Sequence, residues 1–142
     1  MSRITDMLAQ GSSPRRSARP APAAASFAGE YRETVCVTVA EGAYRLLDKR
    51  IYEDIKGNRM PPTKSDLVAC ALQDLMSRGV DEAAESVDVE AYRAGRKLKR
   101  NVSLPRSLSC RLGELAAQRR ASGLPFATRT ALIELAVVAS YA

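Results

Sequence analysis

The chain has 142 residues, with 22 Lys+Arg against 16 Asp+Glu, a net charge of +6 and no histidine. That length suits one domain, or two small units sharing a core; 46% apolar residues suffice for it, and with 5% aromatics and no Trp the core should be aliphatic. Without histidine there can be no imidazole acid–base catalysis, no Ser-His-Asp or Cys-His nucleophile, no histidine metal ligand and no histidine pH switch, while the basic balance fits either a nucleic-acid partner or simply a basic surface.

Residues 1–31 read as a flexible basic tail. "MSRITDMLA" offers one amphipathic turn with Ile4, Met7 and Leu8, too short to hold alone. "QGSSPRRSARPAPAAASFAGE" is rich in Pro, Ala, Ser and Gly and cannot bury enough surface to offset its ordering entropy. Its arginines before alanines imitate a signal peptide, but prolines interrupt the alanines and a leucine core is missing, so no cleaved signal is expected.

At Thr34 the pattern changes. "TVCVTV" alternates, with Val35, Val37 and Val39 on one face and Thr34, Cys36 and Thr38 on the other, which predicts a strand. "AEGAYRLLDKRIYEDIK" places Ala43, Leu47, Ile51 and Ile55 four apart and predicts a helix that Gly57-Asn58 ends. Thr63, with Asp66 three residues on, predicts a capped second helix whose apolar face is Leu67, Val68, Ala71, Leu72 and Leu75, stopped by Gly79. Residues 80–96 form a linker, acidic first and basic last, with a short helix expected around Val89–Ala94.

"KLKRNVSLPRSL" then repeats the strand pattern: Lys99, Asn101 and Ser103 alternate with Val102 and Leu104, and Pro105 suits a first helical turn. Leu108, Leu112 and Leu115 form a stripe, Gly123 and Pro125 interrupt it, and "TRTALIELAVVAS" opens on Thr128 and is apolar nearly all round. Val39 and Leu104, Leu47 and Leu112, and Thr63 and Thr128 are each 65 residues apart. A gap-free offset from Thr34–Ser77 to Lys99–Ala142 predicts a duplicated strand–helix–helix unit, residues 32–79 and 97–142. A lone short strand has no partner but its copy, so the two should pair, with the valines and Leu104 inward and Thr34, Cys36, Thr38, Lys99, Asn101 and Ser103 outward.

Such units, with "NVSLPRSL" followed by "TRTALIELA", resemble the ribbon-helix-helix DNA-binding family, and having both in one chain is similar to the single-chain tandem members from conjugative and T-DNA transfer systems. The resemblance covers about residues 34–142 and implies a mainly α fold with a two-stranded antiparallel ribbon, built as a pseudo-dimer (β-α-α, linker, β-α-α). It implies a ribbon in the major groove of double-stranded DNA, with bases read by the six outward residues, since Asn and Lys can read adenine and guanine edges. Phosphates would be held by Arg32, Thr63, Lys64, Ser65, Lys97, Arg100, Thr128, Arg129 and Thr130, at the ribbon ends and second-helix starts. Arg100 departs from the family at an inward position: it snorkels to a phosphate, or a bulge turns Arg100 to the DNA and Lys99 away.

No cofactor, metal or catalytic residue is expected. The implied chain is a monomeric, cytoplasmic, bacterial DNA-associated protein: a plasmid transfer or maintenance accessory, or a repressor. Arg15-Arg16 could bind phosphate, or reach a partition-type ATPase or a relaxase complex. An antitoxin-type module whose tail folds on a protein partner is the alternative. A small enzyme would need the linker acids Asp81, Glu82, Glu85, Asp88 and Glu90, which nothing desolvates, or a cysteine. Cys36, Cys70 and Cys110 are dispersed without a CxxC, which argues against structural zinc and a disulfide framework and for free thiols in a reducing compartment. Cys36 is either a redox switch or a small groove-facing residue, and Cys70 belongs on a core face. No run of 18 apolar residues is present to span a membrane.

Overall fold

Alternating β-branched residues can form a stable strand here only by finding a partner edge, and the two such segments find each other. The computed structural model describes residues 30–142. In it β1 (Arg32–Ala40) runs directly into α1 (Glu41–Lys56), followed by α2 (Lys64–Arg78), α3 (Val80–Ser86) and a 3-10 turn (Val89–Tyr92). Then β2 (Lys97–Pro105) runs directly into α4 (Arg106–Ala121), and α5 (Arg129–Tyr141) closes the chain. The fold is mainly helical with one two-stranded antiparallel sheet.

The ladder is continuous, from Arg32 opposite Pro105 to Ala40 opposite Lys97. Residues opposite one another share a face, so Val35–Val102, Val37–Arg100 and Val39–Leu98 line one side and Thr34–Ser103, Cys36–Asn101 and Thr38–Lys99 the other. Val35, Val37, Val39, Val102 and Leu104 are buried against the helices, as their alternation predicts. No bulge intervenes, so Lys99 faces outward and Arg100 keeps the inward register.

The helices close an aliphatic core. α5 is buried over residues 132–138 in succession, and α2 buries Leu67, Val68, Ala69, Ala71, Leu72 and Leu75. Each fully buried leucine contributes about 1.5–3 kcal/mol, and Leu72, Leu75, Leu104, Leu108, Leu112, Leu132 and Leu135 take the place of missing aromatics. The 65-residue offset carries the bounds of β1 onto those of β2, and of α1 onto α4. It also carries Asn58 (φ 63°) onto Gly123 (φ 70°), the left-handed residues that turn the chain after each helix.

Three expectations need correction. Ile55 is not on the apolar stripe of α1: it is 58% exposed, and Asp54 is buried instead, where Arg59 Nη2 (3.0 Å) and Arg50 Nε (3.6 Å) neutralise it. The linker holds more structure than one short helix. α3 precedes the 3-10 turn, burying Val80 and Ala83, and its Asp81 accepts a hydrogen bond from buried Arg119 at 3.0 Å. Leu115 only edges the core, while Ala116 and Arg119 take its place on the buried face of α4. The expectations for residues 1–29, including Arg15-Arg16, lie outside the described residues.

Candidate nucleic-acid interface

The outward face of the ribbon carries mostly exposed polar side chains among the described residues. Thr34, Cys36, Thr38, Lys99 and Asn101 are exposed, with Asn101 directly across from Cys36 and Lys99 across from Thr38. The offset that equates Cys36 with Asn101 is thus also the pairing that sets them face to face. A ribbon face with an ammonium at Lys99 and an amide at Asn101 presents hydrogen-bond donors, and Asn101 adds an acceptor.

Ser103 differs from the expectation. It is half-buried because Arg32 lies across it, donating from Nε to Ser103 Oγ (3.0 Å) and from Nη2 to Ser103 O (2.7 Å). Arg32 therefore stands on the outward face at one end of the ribbon, with Ser103 as its support. Lys97 marks the other end; its Nζ is 3.6 Å from Glu134 Oε2.

The second-helix starts flank the ribbon. Thr63 caps α2 by accepting from Asp66 N–H (3.1 Å), and its own N–H donates to Asp66 Oδ2 at 3.4 Å, so the capping box forms as predicted. Thr128 caps α5 by accepting from Ala131 N–H (3.1 Å). Ser65 Oγ accepts from Ser103 N–H (2.9 Å), covering the outer edge of β2 instead of standing free. Thr130 is half-buried.

The two flanks are electrically unlike. Lys64 Nζ rests 2.8 Å from Asp48 Oδ1 and 4.6 Å from the Tyr44 ring centre, and its hydrogen bond to Asp48 raises its pKa. Arg129, at the same place in α5, makes no ion pair among the described residues. Where α1 has Asp48, α4 has Gly113, and a Cβ there would sit 2.7 Å from Arg129 Nη2, so the guanidinium lies on bare backbone. The first turn of α5 also lacks an acid, whereas α2 has Asp66.

Two features escaped sequence reasoning. Arg100 is exposed with its guanidinium 5.2 Å from the Tyr44 ring centre, so one ring carries both Arg100 and Lys64. Glu134, 2% exposed within α5, accepts from Ala40 N–H at 2.7 Å and has Arg93 Nε 3.3 Å from its other oxygen. A lone acid in "ALIELAVVAS" was the available signal, because a buried carboxylate must have partners.

All three cysteines are free thiols: Cys36 and Cys110 are exposed and Cys70 is half-buried. Among the described residues no cluster of His, Cys, Asp or Glu could hold a metal ion, and no helix is long and apolar enough to cross a membrane. Comparison of the chain with protein-family models, with curated proteins and with solved structures gave no match.

Proposed function

We propose that residues 32–142 form a tandem ribbon-helix-helix pseudo-dimer and that the chain is a non-enzymatic, sequence-specific binder of double-stranded DNA. One observation carries the reading. The 65-residue offset maps each strand onto its own ladder partner at the centre of the ribbon, Cys36 on Asn101, as a two-fold axis through that point requires. A ribbon built on such an axis, with its apolar face on four helices and its polar face open, has the shape and donors for a major groove.

In this reading Thr34, Cys36, Thr38, Lys99 and Asn101 meet base edges, with Ser103 contributing through Arg32. Lys64 at the start of α2, Thr128 and Arg129 at the start of α5, and Arg32, Lys97 and Arg100 along the ribbon hold the backbone and set the register. The biological role that fits is an accessory of plasmid or T-DNA transfer or maintenance, or a repressor, acting in a bacterial cytoplasm. Electrophoretic mobility shift with a pool of duplexes tests the binding. Retarded complexes that fade steeply with salt are expected, and absence of any complex at low salt would refute the reading.

Since both strands are supplied by one chain, the core should need no second copy. Sedimentation at micromolar concentration should give a folded species of 15.4 kDa. An obligate dimer without a folded monomer would contradict the pseudo-dimer.

A further inference from the structure

Arg100 stands at an inward position near the middle of the ribbon. Its ladder partner Val37 and its offset counterpart Val35 are both buried. Arg100 instead turns out of the core at the rim of a cavity of about 20 Å³, which it lines together with Val37, Tyr44, Leu47, Val102, Ile133 and Glu134. Packing is thus given up on one half of the ribbon only, and what is gained is a charge held in place. The guanidinium stacks on Tyr44 at 5.2 Å and donates from Nη1 to Lys99 O at 2.9 Å. It makes no ion pair among the described residues, unlike Lys64 on the same ring, which Asp48 neutralises. A planar cation on an aromatic face loses little freedom when its remaining N–H groups engage an anion.

We infer that Tyr44 is a positioning residue that holds Arg100 at one flank of the ribbon as a backbone-phosphate contact, which the other flank lacks because Val35 takes its place. The inference rests on the DNA-binding reading and deepens it. It makes the two flanks of the protein chemically distinct, with one more backbone contact on one side than on the other. The phosphate contact is independent of sequence, so a random-sequence duplex serves as the probe.

The test is the affinity of the full chain for that duplex over a range of KCl, with thermal melting of each variant alongside. Arg100→Leu should bind about tenfold more weakly and show a salt dependence shallower by about one ion, yet melt no lower than wild type because an apolar residue suits this inward position opposite Val37. Tyr44→Phe keeps the ring and should bind like wild type. Tyr44→Leu should weaken binding, and should add no loss in the Arg100→Leu background. Arg100→Leu binding with unchanged affinity and salt slope would overturn the inference while leaving the DNA-binding reading intact. So would a Tyr44→Leu loss that persists without Arg100, since the ring would then act through Lys64. Failure of the wild-type chain to bind the duplex would remove the reading and this inference with it.

Discussion

Glu134→Ala is expected to lower folding stability by about 1–3 kcal/mol, the cost of leaving the buried Ala40 N–H without its acceptor. The carboxylate holds three segments at once: the end of β1 through Ala40 N–H (2.7 Å), the linker through Arg93 (3.3 Å) and the start of β2 through Lys97 (3.6 Å). Removing it leaves a buried N–H without an acceptor and a half-buried Arg93, whose other contacts are Glu90 at 2.6 Å and the Phe126 ring at 5.7 Å. Glu134→Gln keeps an oxygen for Ala40 and should lose less. Its offset counterpart is the buried Ala69, so among the described residues the other end of the ribbon has no acid at the matching position. Urea unfolding measures it: a lower midpoint at unchanged slope is expected, and a loss below about 1 kcal/mol, the scale of a surface pair, would show that Glu134 does not organise this end of the ribbon.

Asn101→Ala should weaken binding to the preferred DNA site by about 1–3 kcal/mol, the range of one bidentate base contact, while binding to random duplex stays nearly the same. Asn101 is exposed at the centre of the outward face with no side-chain partner among the described residues, so its amide is available for a base edge. The substitution leaves the core untouched. Titration of both duplexes with wild type and variant gives the comparison. Equal losses on the two would mean that Asn101 does not read bases.

Much of this arrangement was legible in the chain. Period-2 alternation of valines fixed which strand faces go in and out, and Thr63 and Thr128 marked two helix starts that the structure caps as expected. The miss at Ile55 has a simple cause. At 3.6 residues per turn, steps of four drift by about 40° each, so three steps from Ala43 carry Ile55 off the apolar face, which continues through Leu46, Leu47 and Asp54. α3 was hidden because "VDEAAES" is dominated by charge and buries only Val80 and Ala83. Arg100 on Tyr44 left no signal in the sequence, and the lone acid in "ALIELAVVAS" signalled a partnered carboxylate without showing that Ala40 is its partner. Each depends on where residues 56 and 94 positions apart meet in space, and no local pattern records that.

We propose that one chain presents two unequal strands to duplex DNA. On the proposed DNA-binding reading, Thr34, Cys36 and Thr38 would offer weak and methyl-directed contacts, whereas Lys99 and Asn101 would donate strongly to guanine and adenine. Selection of bound sequences from a random duplex pool with the full chain, followed by footprinting on base-substituted sites, measures this directly. The expected result is one enriched, non-palindromic site bound in a single orientation, with one half tightly specified and the other loose. A perfect inverted repeat whose halves tolerate substitution equally, or no enrichment over the starting pool, would contradict it.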